Sequence, residues 1–228
     1  MITLYTAVGL LKTNSDSRGR YPQVVINGKE HNVDIGEMLI WSGLNWRILP
    51  LHQVEKLFQN GVSGADVEVS TPFESYIDRL ISRGLIVSGS GDTEADALYD
   101  LVSDLYIIPT ESSTPTKLLS FLKVIFIDRV PLKSAKWIFN RGKFSENEQR
   151  IIDVAKQALL STAEIIKCVE NGNFDLSTEE KILSALYDDD ITTCDNISSF
   201  AKLFKTQKSV LSAVANLYLR KQIIFQRI

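Results

Sequence analysis

Hydrophobic positions along the chain change period several times, and each change marks an element. The N-terminal segment alternates apolar and polar residues. QVVINGKEHNV then predicts a hairpin, because Asn27-Gly28 supplies the two positive-φ residues of a tight turn. Helical spacing follows: one helix over 35–43, and a second opened by Pro50 and running through Val54, Leu57 and Phe58 to Asn60-Gly61. A third begins at Pro72, carries Phe73, Tyr76, Ile77, Leu80 and Ile81, and ends at Arg83-Gly84. After it the apolar run Leu85, Ile86, Val87 leads into SGSGD, which is expected to turn the chain back. Farther on, SENEQRIIDVAKQALLSTAEIIKCVENG carries a broad apolar stripe of Ile151, Ile152, Val154, Ala155, Ala158, Leu159 and Ala163. It is expected to form a single helix of about 27 residues, ~40 Å long and suited to a partner helix. A restart at Ser161 is the alternative.

Helix starts are signalled by an N-cap oxygen followed three residues later by a carboxylate, which together satisfy backbone N–H groups that lack a partner. Asp34 with Glu37, Thr71 with Glu74 (Pro72 at the first helical position), Ser145 with Glu148, Ser161 with Glu164 and Ser177 with Glu180 all fit. These are structural signals and say nothing of function.

Three short helices, an apolar strand and a glycine-rich turn resemble a winged helix-turn-helix domain. YIDRLISRGLIV carries most of that resemblance, since the third helix of such domains commonly closes on a leucine, a basic residue and a glycine before the first wing strand. The second half repeats the plan. EMLIWSGLNWRILPLHQVEKLF (37–58) aligns with EIIKCVENGNFDLSTEEKILSA (164–185), and RLISRGLIV (79–87) with NLYLRKQII (216–224). The expectation is a mainly α chain with small β-hairpins, an α+β protein of two loosely related winged-helix domains. Residues 1–110 form the first, 145–228 the second, and 111–144 an apolar and basic connector.

Composition is that of an ordinary globular protein, with 44% hydrophobic and 23% charged residues. No apolar run approaches the roughly 18–20 residues that span a bilayer, so a soluble, cytoplasmic protein without a membrane partner is expected. Charge changes the picture more. The net −3 conceals segregation: residues 1–110 hold 8 Lys/Arg against 14 Asp/Glu, 111–143 hold 7 against 2, 144–190 hold 4 against 11, and 191–228 hold 6 against 1. A phosphate backbone meets local charge and not the total.

Candidate catalytic chemistry is thin. RGLIVSGSGDTEADALYDL has the strand, glycine, helix order of a dinucleotide-binding turn, yet Glu94 occupies the place of the third small residue. Asp92, Thr93, Glu94 and Asp96 would already complement the helix dipole and repel phosphate. The glycines therefore read as the tip of a wing. His31 and His52 have no partners at metal or triad spacing, and Cys168 and Cys194 sit in no zinc or redox pattern. Asp188, Asp189, Asp190 and Asp195 lack the glycine and terminal glutamate of a calcium loop and read as a solvated loop. Ser161 with Lys167, or Cys194 alone, shows no general base. No enzyme activity, catalytic residue, cofactor or metal is expected.

Binding remains. In the first domain the third helix would present Glu74, Ser75, Asp78 and Ser82, two of them repelling phosphate. In the second, Val210, Leu211, Val214, Leu217 and Tyr218 should pack inward, leaving Gln207, Lys208, Ser209, Ser212, Ala213, Asn216 and Arg220 toward solvent. Asn and Gln pair bidentately with adenine and Arg with guanine, while small residues let a helix sit close. The resemblance thus implies a homodimeric, bacterial-type transcription regulator that binds double-stranded DNA. Its contacts would be Lys205, Gln207, Lys208, Ser209, Ser212, Asn216, Arg220 and Lys221. The alternative is a winged-helix adaptor whose acidic first domain takes a protein or peptide partner by strand addition.

Overall fold

Alternation in the N-terminal segment is realised as strand β1 (Ile2–Ala7), which continues through a turn at Gly9 into β2 (Leu10–Asp16). The computed structural model describes residues 1–16, 19–65, 69, 71–110, 144–189 and 191–228, so the connector expected over 111–144 lies, except for Phe144, outside the described residues. β3 (Gly19–Ile26) and β4 (Lys29–Asn32) form the expected hairpin, with Asn27 at φ 46° and Gly28 at φ 74°. Then follow α1 (Ile35–Leu44), β5 (Leu49–Pro50), α2 (Leu51–Ala65), α3 (Phe73–Ser82), β6 (Ile86–Gly91), α4 (Glu94–Val102) and β7 (Tyr106–Pro109). The second half contains α5 (Glu146–Gln157), α6 (Thr162–Asn171), α7 (Glu179–Tyr187), α8 (Ile197–Ala201), α9 (Gln207–Leu219) and β8 (Ile223–Gln226). The chain is α+β, mainly helical with small antiparallel sheets ordered β5-β1-β6, β2-β3-β4 and β7-β8.

Three of the five expected capping boxes form, at Asp34/Glu37, Ser145/Glu148 and Ser161/Glu164. α3 instead starts behind Pro72, with no side-chain cap. α7 is capped by Thr178, because Ser177 is already held by the Asp175 carboxylate and by Lys181. The expected 27-residue helix is two helices. At Ala158 the backbone extends (φ −145°, ψ 151°), and the interruption is used for pairing with β7. Ile107 N donates to Leu160 O at 3.0 Å and Thr162 N to Leu105 O at 3.0 Å. Hydrogen bonds to a distant strand thus outweigh helix continuation, and the new helix start is recapped by Ser161.

The glycines expected at a wing tip are also placed differently. Gly89 and Gly91 lie inside β6, opposite Leu4 and Ile2 of β1, and among the described residues no strand following β6 returns to pair with it. Their missing side chains admit α4. A Cβ on Gly89 would stand 2.1 Å from Leu101 N, and one on Gly91 2.5 Å from Ala97 N. α4 itself is capped by Thr93.

The two halves share a set of local contacts, a plan whose pairing differs from the one expected. α3 and α9 end on the same hydrogen bonds, 137 residues apart: Gly84 N to Ile81 O and Leu85 N to Leu80 O, against Lys221 N to Tyr218 O and Gln222 N to Leu217 O. Both turns place one residue in the left-handed region, Gly84 at φ 68° and Lys221 at φ 59°. At their other ends, however, α1 matches α5 and not α6. Arg83 grips both carboxylate oxygens of the buried Glu37 at 3.0 and 2.9 Å, and Arg220 grips those of the buried Glu148 at 3.2 and 3.1 Å. Pro50 pairs with β1 just before α2, as Ser161 pairs with β7 just before α6. α7 and α8 are therefore additional to the repeated plan.

One continuous apolar core runs through both halves, from Trp41, Leu80 and Ile86 to Ile151, Ile165, Leu217 and Phe225. Polar contacts cross the junction as well: Gly9 N donates to Phe225 O at 2.9 Å, and Trp46 Nε1 to Ile223 O at 3.3 Å.

Candidate nucleic-acid interface

α9 begins where Thr206 donates its N–H and its hydroxyl to the Glu170 carboxylate, at 3.0 and 2.6 Å. Those hydrogen bonds, with the nearby Lys205, hold the Glu170 carboxyl below its usual range. The helix has the expected inner face, with Val210, Leu211, Val214, Leu217 and Tyr218 all buried. The buried stripe is wider than expected, however. Gln207 is 7% exposed and Ala213 5%. Gln207 falls on the line of Val210, Leu211 and Val214 at the i, i+3, i+4, i+7 spacing, so helical periodicity turns it inward and away from any groove.

On the opposite face Lys208, Ser209, Ser212 and Asn216 are exposed, and Lys202 and Lys205 are exposed just ahead of the helix. Leu219, half exposed, prolongs this face by one turn from Asn216. Lys202 and Leu219 were not among the expected contacts. Leu219 could have been found, because it falls outside the apolar stripe of its own helix.

Arg220 and Lys221 are held back from this face by other contacts. Arg220 joins Glu148 and lies 5.3 Å from the Phe144 ring centroid, and Lys221 Nζ stands 5.2 Å over the Trp46 ring. The equivalent helix α3 exposes Glu74, Ser75, Asp78 and Ser82. Its arginines turn to Asp34 and Glu37: Arg79 Nη2 reaches Asp34 at 2.8 Å, and Arg83 Nη1 reaches Glu37 at 2.9 Å. Of the two, only α9 presents a face free of carboxylates. Asp96 of α4 lies within electrostatic reach of Lys202 and Lys208. Its carboxyl is held low first by the Thr93 hydroxyl and further by the charges of Lys202 and Lys208.

Ser161 and Lys167, considered together for catalysis, have structural duties. The Ser161 hydroxyl accepts Glu164 N. Lys167, 4% exposed, donates to Asp189 Oδ2 at 2.6 Å and Thr192 Oγ1 at 2.7 Å. Asp189 is thus a buried lysine's partner and not a member of a merely solvated loop, and the hydrogen bonds it accepts from Lys167 and from the Thr192 hydroxyl and N–H hold its carboxyl well below the ordinary range. Burial pushes the Cys168 thiol up to about 12, which suppresses its thiolate. Among the described residues, no three His, Cys, Asp or Glu side chains gather as a metal site would require, and no helix is long and apolar enough to cross a membrane. Comparison with protein-family models, curated proteins and solved structures found no match.

Proposed function

We propose that this protein is a cytoplasmic transcription regulator that binds duplex DNA through α9. The carrying observation is the outer face of that helix. Lys208, Ser209, Ser212 and Asn216 are exposed together behind Lys202 and Lys205, whereas the equivalent face of α3 is acidic. On this reading the three lysines contact phosphates and fix orientation, Asn216 pairs with an adenine edge, and the serines let the helix lie close to the bases. Leu219 offers an apolar contact to a thymine methyl at the far end of the same face.

The test is fluorescence anisotropy against duplex fragments at several salt concentrations. Three phosphate contacts per α9 correspond to a slope of log affinity on log salt of about −3, doubled if two copies bind paired half-sites. Lys208→Ala is expected to weaken binding to all sequences and to flatten the slope by about 1. Asn216→Ala is expected to relax sequence preference. Arg220 is unsuitable as a probe, because its removal strands the buried Glu148. Absence of any duplex binding at low salt, alongside capture of a stable protein partner, would replace this reading with the peptide-binding one.

A further inference from the structure

A cleft of about 580 Å³ opens between the α1–β5 turn and one face of α2, lined by Arg47, Leu49, His52, Gln53, Lys56 and Leu57 among others. Its volume lies within the roughly 300–1,000 Å³ typical of small-molecule sites. The polar lining is basic or neutral, and no carboxylate contributes to it. That is unusual for its surroundings, since residues 1–110 carry 14 Asp/Glu against 8 Lys/Arg. Three other cations of this half do have carboxylate partners: Lys12 pairs with Glu30, Arg79 with Asp34, and Arg83 with Glu37. Among the described residues, no ion pair or side-chain hydrogen bond engages Arg47, His52 or Lys56. All three are exposed, and His52 and Lys56 stand one turn apart on α2. Gathering the charges of Arg47 and Lys56 without a counter-charge among the described residues is unfavourable, and a shared anion removes that cost. Leu49 and Leu57, both half-buried, supply an apolar floor beside the cations.

We propose that this cleft binds a small organic anion, in which an apolar body rests on Leu49 and Leu57 and a phosphate or carboxylate group meets Arg47, His52 and Lys56. Gln53 adds a neutral hydrogen-bonding group. None of the residues on the outer face of α9 lines the cleft, and its occupancy does not depend on DNA binding.

The experiment is a titration of the full-length, isotope-labelled chain with phenyl phosphate, followed by amide shifts. Saturable shifts centred on residues 47–60 are expected. An Arg47→Ala/Lys56→Ala variant of unchanged Tm should bind about tenfold more weakly or worse. Inorganic phosphate and benzyl alcohol should each bind the unaltered chain at least about tenfold more weakly than phenyl phosphate, since each offers only half of the recognition. Lys208→Ala should leave the titration unchanged. Shifts that fail to saturate, that persist in the double variant, or that disappear in Lys208→Ala would overturn the proposal. Equal affinity for inorganic phosphate would do the same, because the apolar floor would then contribute nothing. So would loss of duplex affinity in the double variant with no preference for phenyl phosphate, which would make the cleft a contact for a polynucleotide backbone.

Discussion

The Tyr218 hydroxyl receives the Trp46 N–H at 3.0 Å, lies 2.9 Å from the Thr6 hydroxyl, and reaches Ala7 O at 3.2 Å. Thr6 donates its own proton to Arg47 O at 2.8 Å, so one buried phenol joins α9, β1 and the α1–β5 turn. Tyr218→Phe leaves these groups short of a partner and is expected to cost about 1–3 kcal/mol in urea unfolding near neutral pH. Burial, first among the causes, pushes the Tyr218 pKa up to about 12 from 10. The unfolded chain therefore ionises this group first, and its contribution to stability is intact below pH 10 and lost as pH rises toward 12. The pH 10–12 decline should be shallower in Tyr218→Phe; an unchanged slope would show that the phenol is not buried as described. The paired left-handed positions give a second prediction, of opposite signs. Gly84→Ala should lower stability by about 1–2 kcal/mol. Lys221→Gly should raise it by up to about 1 kcal/mol, reduced by loss of the Trp46 contact. Thermal unfolding of the two variants checks both. The sequence marked Gly84 as a helix end through its glycine, but it could not mark Lys221, where the tertiary turn imposes the conformation on a lysine.

At the scale of elements, α4 lies against β6 because Gly89 and Gly91 present bare backbone to it. Gly89→Ala would drive a Cβ into the Leu101 backbone, which no side-chain rotation relieves. A loss of about 3 kcal/mol or more is expected, measured by chemical unfolding, and a near-neutral effect would mean that α4 stands farther from the strand. Helix spans were legible from periodicity and caps: α1 runs over 35–44 against an expected 35–43, and α3 closes at the expected Arg83-Gly84. Strand partners were not. The same glycines suit a tip or a packed strand, and only β1 arriving from the far end of the chain decides between them. The break between α5 and α6 has the same origin, since its hydrogen bonds go to β7.

For the whole molecule, the continuous core and the contacts of β8 with the first half predict a single cooperative unfolding transition for the full chain. Calorimetry and near-ultraviolet dichroism should give coincident midpoints, and two resolved transitions would show that the halves fold separately. The shared plan also explains how the halves diverge in charge. Residues that hold each copy together recur, as in Arg83 with Glu37 and Arg220 with Glu148. The outer faces of α3 and α9 carry no packing constraint and differ in sign.

Sequence alone determined most helix positions and three of the five expected capping boxes, the Asn27-Gly28 hairpin, the apolar residues of the inner face of α9 and the segregation of charge. These depend on spacing within one element or on composition, and so on residues close in the chain. Tertiary structure alone decided that β1 pairs with both β5 and β6, and that α5 is the counterpart of α1. It also set Arg220 on Glu148. Each of these follows from groups brought together across tens to hundreds of residues, where packing and hydrogen-bond satisfaction choose among arrangements that local pattern leaves equal.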